Sequence, residues 1–311
     1  MTHTTTARPS DFIISVGLSV GAPEDVEKRV RLLDASGIDL VTLADSFVNA
    51  APDVPVDAST LAPYLGARTR QIGIVPEIST THTEPFHVST ATASLDYVAR
   101  ARGEWLAAPS LSEEDAAATG RRPAAPSEAA WAETVQVIDV VRKLWTSWDA
   151  DAEIRDARTG RFLDLDRVNY VDATLTDSVG KEYTIKGPSI TPQPPQGTPP
   201  VFVRSESAQT PAAAAADVVL LTGPDALERA RAEQGAVLPA LEAPAGAAEI
   251  GAWFDEQLTA AREGGLRGVH LEIADNDAAA VRALATLVRD SNGRFGHHAG
   301  SRSLRARLGL A

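Results

Sequence analysis

The chain has 311 residues, of which 44% are hydrophobic, with 29 lysines and arginines, 42 aspartates and glutamates and no cysteine. This length and composition fit a soluble globular protein with one large domain or two small ones. The net charge of −13 argues against nucleic acid or an anionic membrane as a partner, because both are bound by basic surfaces. The lack of cysteine excludes disulfides, thiolate metal sites and a cysteine nucleophile.

Neither a secretion signal nor a membrane span is expected from the sequence. The amino-terminal residues MTHTTTARPSDF contain no long apolar core. No apolar run approaches the roughly 18 residues that a membrane-spanning helix needs. The expected location is therefore the cytoplasm.

Short apolar runs alternate with amphipathic helical segments along the chain. In the first half, strands are predicted at Phe12–Leu18, Ile38–Leu43, Ile72–Val75 and around Trp105, and helices at Pro23–Ser36, Asp57–Ala67, after Pro85 and at Ser127–Trp148. In the second half, strands are predicted at Val201–Arg204, Val218–Thr222, Ala236–Leu241 and Val269–Ile273, and helices at Asp225–Gln234, Ala247–Gly264 and Asp277–Arg289. Apolar strands that alternate with helices are typical of a parallel sheet.

Eight such strands would close a TIM (β/α)8 barrel, and the length fits that fold. An open doubly wound sheet is the competing architecture, but no G-x-G-x-x-G turn follows Phe12–Leu18. The prediction is a single α/β domain over residues 1–311. Residues 111–127 are expected to form a mobile loop. Residues 149–200, which end in the proline-rich stretch TPQPPQGTPP, are expected to form a small β excursion over the barrel mouth.

Polar side chains lie where the predicted strands end, as they do in the active sites of α/β barrels. Asp45 follows the second strand and can bind a ligand or cap a helix. Residues 79–82 (STTH), which include Thr80, follow the third strand and can bind a cofactor or form a turn. Arg204 ends the fifth strand and can bind a phosphate or pair with Glu206. No metal site is predicted, because His297 and His298 have no suitably spaced partner.

Several segments together resemble the bacterial-luciferase-like flavin-dependent monooxygenases, in particular the branch of the nitrilotriacetate and dibenzothiophene-sulfone monooxygenases. The motifs that carry the resemblance are LADS at 43–46, STTH at 79–82, PFH at 85–87, SLD at 94–96, RGEW at 102–105, LWTSW at 144–148 and SLRARLGL at 303–310. They extend over most of the chain. Each motif alone is a weak signal, but their order along the sequence makes the resemblance specific.

The resemblance implies a barrel that binds reduced FMN from a separate NAD(P)H:flavin reductase, activates O2 and oxygenates a small organic substrate. It implies cofactor contacts at Asp45, Thr80, Trp131, Arg204 and Ser207, and a homodimer that pairs through helices near the second and third strands. The alternative for Trp131 is a structural position in the core, because aromatic residues at helical spacing usually pack against the protein interior. No catalytic residue is predicted, since the flavin carries the reaction in this class.

The chain departs from the family pattern near the flavin phosphate. The fifth strand is followed by RSESAQTP at 204–211, where Glu206 and Pro211 replace glycines that would let the backbone approach a phosphate. The region between the sixth and eighth strands is shortened to Gly223–Gly246. Two alternatives follow, namely a catalytically inactive barrel that acts as a binding or assembly protein, and a relative that uses a deazaflavin. The substrate is not predicted.

Overall fold

A computed structural model describes residues 12–48, 56–245, 247–290, 304–308 and 310. The first barrel strands are β1 (Ile13–Ser19), β2 (Leu40–Ala44), β3 (Gly73–Ser79) and β4 (Trp105–Ala108). An excursion then contributes β5 (Glu153–Asp156), β6 (Arg161–Leu163), β7 (Val171–Thr176) and β8 (Glu182–Gly187). The barrel is completed by β9 (Val201–Ser205), β10 (Val218–Leu221), β11 (Ala236–Glu242) and β12 (Gly268–Glu272).

The eight barrel strands are parallel and close on themselves in the order β1-β2-β3-β4-β9-β10-β11-β12, with β12 paired to β1. This arrangement confirms the predicted TIM barrel. The eighth strand, predicted at Ala236–Leu241, is also confirmed, because β11 pairs with both β10 and β12. The open doubly wound sheet is thereby excluded.

The helices alternate with the strands along the chain, and some of them begin at a residue whose side chain caps the first turn. They are α1 (Pro23–Ser36), α2 (Ala58–Gly66), α3 (Pro85–Val98), α4 (Glu113–Thr119), α5 (Ser127–Trp145), α6 (Pro211–Ala215), α7 (Ala226–Ala230), α8 (Ala247–Glu263), α9 (Ala278–Asp290) and α10 (Leu304–Leu308). The side chains of Asp57, Glu84 and Ser112 accept backbone N–H groups at the starts of α2, α3 and α4. Among the described residues, no helix is long and apolar enough to cross a membrane.

Two predicted segments differ from the structure. Residues 111–127, expected as a loop, contain α4, because the Ser112 hydroxyl accepts the N–H of Asp115 at 3.0 Å and caps a short helix. The helix expected to end at Trp148 ends at Trp145. His297 and His298 lie outside the described residues, as do parts of the 303–310 motif.

The excursion between β4 and β9 consists of two antiparallel hairpins, β5–β6 and β7–β8. The second hairpin packs on the outer helical layer, since Val171, Leu175 and Ile185 share a core cluster with Val137 and Val141 of α5. The predicted β excursion is therefore present.

Alternation along the strands decides which side chains fill the barrel. Ile13, Leu40 and Phe202 point inward and are fully buried in one apolar cluster. Leu304 and Leu308 of α10 pack into the same cluster. Arg305 of α10 donates to the carbonyl of Thr198, just before β9, so α10 lies at the amino-terminal end of the barrel. The opposite end remains available for a site.

The buried carboxylate of Asp96 joins α3 to the segment that returns from the excursion. One oxygen accepts the backbone N–H of Gln196 at 2.9 Å. The other accepts the Gln196 side-chain amide at 2.8 Å and the N–H of Gly103 at 3.3 Å. Burial raises the pKa of Asp96. These bonds hold the start of β4 and the entry to β9 in place.

Replacing Asp96 with alanine is expected to lower the free energy of unfolding by about 2–3 kcal/mol, because buried donors lose their acceptor. Urea denaturation monitored by circular dichroism measures this change. Asp139→Ala is the matched control. Its carboxylate is exposed and pairs with Lys143 on the same helix, so we expect a change of about 0.5 kcal/mol or less. Equal effects of the two substitutions would contradict the structural role of Asp96.

Candidate functional site

A cleft of about 1050 Å³ lies at the carboxyl ends of β2, β3 and β4. This is the end of a TIM barrel that carries active sites. The described residues that line the cleft are Asp45, Ser46, Phe47, Val56, Asp57, Ser59, Glu77, Ile78, Ser79, His82, Thr83, Glu84, His87, Ala108, Pro109, Ser110, Leu111, Ser112, Asp115, Ala118, Thr119 and Arg121. The excursion contributes no residue to this described wall. We call it the β2–β4 cleft.

Hydroxyl groups join the loops that follow β3 and β4 and form one side of the cleft. The hydroxyls of Ser79 and Ser110 are 2.8 Å apart. The Thr81 hydroxyl accepts the N–H of Ser110 at 3.0 Å, and the Ser79 hydroxyl accepts the N–H of Thr81 at 3.2 Å. These hydrogen bonds hold the two loops to each other and give this side of the cleft a defined shape.

Asp45 is the predicted cofactor residue that lies in the wall of the β2–β4 cleft. Its carboxylate accepts the backbone N–H of Ala58 at 2.6 Å and of Ser46 at 2.8 Å. Burial raises the pKa of Asp45. The residue thus anchors the start of α2, as one alternative predicted, and it also faces the cleft.

Thr80 and Trp131 are directed into packing contacts. Thr80 is buried, and its hydroxyl lies 2.7 Å from the hydroxyl of Thr134 on α5. Trp131 is partly buried against an apolar cluster around α5. Neither residue is among the described residues that line the β2–β4 cleft. Their cofactor contacts stay predictions from the resemblance.

Arg204 points into the barrel and is held by two carboxylates. Its guanidinium donates to Glu77 of β3 at 3.0 Å and to Glu272 of β12 at 2.9 Å. Burial opposes its positive charge, yet the attraction of Glu272 and Glu77 raises the pKa of Arg204. The predicted alternative of pairing with Glu206 is not what the structure shows. Ser207 lies apart from this network in an exposed turn.

The network continues beyond Arg204 and Glu272 to one further strand, β1. Glu272 lies 3.1 Å from one ring nitrogen of His270, and the other ring nitrogen lies 2.9 Å from the Ser15 hydroxyl of β1. Gly17 makes room for it, because a Cβ atom there would approach the Glu272 carboxylate to 2.1 Å. Glu272 was not among the site residues predicted from the sequence, and its partnership with Arg204 and His270 was missed. The sequence did contain one signal for this network: β3, β9 and β12 each carry one charged residue near the carboxyl end, namely Glu77, Arg204 and Glu272.

His82 is the most unusual residue of the β2–β4 cleft. Its side chain is 7% exposed, and neither ring nitrogen has a hydrogen-bond partner among the described residues. The ring of Phe47 packs edge-on against it, with centroids 5.7 Å apart. Burial lowers the pKa of His82, and the charge of Arg122 lowers it further. Sequence reasoning considered this histidine and did not select it.

The residues predicted to hold the FMN phosphate do not fit a phosphate dianion. The Arg204 guanidinium is already shared by two carboxylates. The nearby Arg229 donates to the carbonyls of Glu206, Thr222 and Pro224. The N–H of Ser207 donates to the Ser205 hydroxyl at 3.2 Å. These donors are thus engaged within the protein, whereas the β2–β4 cleft has room for a flat ring.

The structure is that of an α/β barrel protein with a cleft at the carboxyl ends of its strands. The model of the luciferase-like monooxygenase family matches residues 12–306, and the chain belongs to this family. The expectation from the sequence motifs is confirmed.

Three proteins resemble the chain in sequence or in fold. One of the subunits of pristinamycin IIA synthase from Streptomyces pristinaespiralis is 34% identical over 63% of this chain and 61% of its own length. Dibenzothiophene-sulfone monooxygenase from Rhodococcus erythropolis is 30% identical over 48% of this chain and 32% of its own length. The crystal structure of a riboflavin lyase with modified FMN and riboflavin has a TM-score of 0.75 at 18% identity, covering 96% of this chain and 95% of the lyase. The chain spans less than two thirds of the length of either sequence relative.

Replacing His82 with phenylalanine is expected to raise the free energy of unfolding by about 1 kcal/mol, because two buried nitrogens without partners are removed. Urea denaturation measures the change. His87→Phe is the matched control, because His87 is exposed on α3 and a surface substitution changes stability by about 0.5 kcal/mol or less. A loss of stability in His82→Phe would show that the imidazole has a stabilising partner.

The Glu272 network is expected to make stability depend on acid pH. Burial alone would raise the pKa of Glu272, but the hydrogen bond and charge of His270 and the charge of Arg204 lower it from 4.5 to about 2. The ionised form is thus favoured by folding. Its contribution of about 3 kcal/mol is complete above the ordinary pKa and is lost as the pH falls towards the folded value.

Chemical denaturation of the wild type and of Glu272→Gln at several pH values tests this dependence. The stability difference between the two proteins should be largest near neutral pH and should shrink steadily below the ordinary glutamate pKa. Glu256→Gln, on the exposed side of α8, is the control and should follow the wild type throughout. A difference that does not vary with pH would contradict the lowered pKa of Glu272.

Proposed function

We propose that this chain is a flavin-dependent monooxygenase that oxygenates a small organic molecule in the β2–β4 cleft. In this proposal it uses O2 and reduced FMN supplied by a separate NAD(P)H:flavin reductase. The observation that carries the proposal is the position of the cleft at the active-site end of a barrel that the family model matches over residues 12–306. The modified FMN bound by the riboflavin lyase supports flavin as the cofactor class.

The wall of the cleft suits a flat aromatic ring. Phe47, Ile78 and Leu111 supply apolar surface, and the hydroxyl-rich loops after β3 and β4 supply polar groups at one side. Small-molecule sites commonly combine an apolar lining with a few fixed polar groups. Because the predicted phosphate residues do not fit a phosphate, we assign no contact to that group. A homodimer and a cytoplasmic location remain predictions.

A second candidate function is a flavin-free barrel that acts as a binding or assembly protein. The paired state of Arg204 supports it, because the cation expected at the phosphate is neutralised by Glu77 and Glu272. The name of one relative describes a subunit of a synthase, which is consistent with assembly. A deazaflavin in place of FMN stays a third alternative.

Anaerobic titration of the purified protein with reduced FMN separates these functions. We expect binding in the micromolar range, followed by flavin-dependent O2 consumption once a flavin reductase is added. No binding at millimolar FMN would overturn the monooxygenase proposal and favour the flavin-free barrel. Parallel titrations with riboflavin and with a deazaflavin determine whether the phosphate contributes and which flavin class is preferred.

Ala118→Trp is expected to weaken the binding of reduced FMN by about tenfold or more, because the added indole would occupy the β2–β4 cleft. Ala118 is exposed on α4 and lines the cleft, so the core is not disturbed. Ala117→Trp is the matched control, since Ala117 is exposed on the same helix and is not among the residues that line the cleft. Unchanged binding in Ala118→Trp would place the flavin elsewhere.

A further inference from the structure

The described wall of the β2–β4 cleft carries negative charge that nearby cations do not balance. Its carboxylates belong to Asp45, Asp57, Glu77, Glu84 and Asp115, and its arginine is the exposed Arg121. Glu77 is paired with Arg204, but the other four carboxylates take part in no ion pair within the described ranges. In the sequence, the seven residues between Val48 and Val56 include no lysine or arginine.

The three aspartates in this described wall belong to three different parts of the fold. Asp45 follows β2, and its carboxylate accepts the N–H of Ala58 at 2.6 Å. Asp57 immediately precedes Ala58 and caps α2. Asp115 of α4 accepts the N–H of Val48 at 3.2 Å. Burial raises the pKa of Asp45, the N–H groups of Ala58 and Ser46 lower it, and the charges of Asp57 and Asp115 raise it further.

The second observation is the buried imidazole of His82 beside these carboxylates. Both ring nitrogens are buried and have no hydrogen-bond partner in the described part of the chain. Burial lowers the pKa of this ring, the charges of Arg122 and Arg121 lower it further, and the charge of Asp115 raises it. At neutral pH one ring nitrogen is therefore a hydrogen-bond acceptor. Phe47, which covers the ring, is 42% exposed, and its rotation would open the imidazole to the cleft.

We propose that the β2–β4 cleft binds a small organic cation, an amine attached to an apolar or aromatic body. The ammonium group lies among Asp45, Asp57 and Asp115 and donates a hydrogen bond to His82. The apolar body packs against Phe47, whose ring face also attracts a cation. Carboxylates that already accept backbone N–H groups keep fixed positions, so they attract the ligand without losing side-chain freedom.

This inference rests on the proposed function, because it names the substrate class of the same cleft. The two proposals can fail separately. Amine binding is measured without flavin or O2, whereas the monooxygenase proposal is decided by titration with reduced FMN.

Calorimetric titration of the full chain with benzylamine, benzyl alcohol and benzoate at neutral pH tests the proposal. The three probes share one ring and differ in charge. We expect benzylamine to bind about tenfold tighter than benzyl alcohol, and benzoate to bind more weakly than either. Benzylamine that binds no tighter than benzyl alcohol would overturn the proposal.

Two substitutions connect the binding to the named residues. Asp57→Asn keeps a good helix cap and removes one charge, so benzylamine should bind about fivefold more weakly while benzyl alcohol is unaffected. Asp277→Asn is the matched control, because Asp277 accepts N–H groups at the start of α9 and does not belong to the described wall of the cleft. It should leave the binding of both probes unchanged.

His82→Phe distinguishes a binding role from a packing role. The substitution keeps an aromatic ring against Phe47 but removes the acceptor nitrogen. We therefore expect the affinity for benzylamine to fall by about threefold or more. A protein that folds and binds benzylamine as the wild type does would remove His82 from the proposal. Equal losses in Asp57→Asn and Asp277→Asn would overturn the assignment of the aspartates, since the control lies outside the cleft.

Discussion

The ion pairs of Arg204 with Glu77 and Glu272 link three strands inside the barrel, and the position of the site depends on them. The three residues belong to β9, β3 and β12, which do not all neighbour one another in the sheet. Only closure of the barrel brings their inward positions within hydrogen-bond distance. Removing one of the three charged side chains would leave a half-buried charge without its partner, and this would lower the stability of the folded protein. The network therefore places polar groups inside the barrel near the carboxyl ends of its strands, above the apolar cluster around Phe202.

One consequence is the placement of the cleft to one side of the axis. Glu77 belongs both to the axial network and to the wall of the β2–β4 cleft. Arg204, by contrast, is not among the described residues of that wall. Arg204 thus supports the architecture from inside the barrel, and the cleft keeps carboxylates that have no cationic partner in the described structure. Because Arg204 and the cleft carboxylates lie in different places, this barrel can keep a large cleft although its phosphate region is altered.

A second consequence concerns the helices that surround the cleft. Asp57, Glu84 and Ser112 cap α2, α3 and α4, and all three also line the cleft. Backbone N–H groups and the positive ends of the helices stabilise the charged forms of such carboxylates. The negative lining therefore contributes to folding as well as to the charge of the site. His82 differs from these capping residues, because its buried ring nitrogens form no hydrogen bond with any described residue.

The sequence by itself determined the elements of this protein and its family. Apolar runs predicted the barrel strands, and even the less regular Ala236–Leu241 proved to be one, because burial on both faces of a parallel strand leaves a local pattern. The cap at Ser112 was equally local and would have revealed α4. Only the tertiary structure decided that Arg204 pairs with Glu77 and Glu272, which are 127 and 68 residues away. Such partners are set by barrel closure and register, and no short-range pattern in the chain records them.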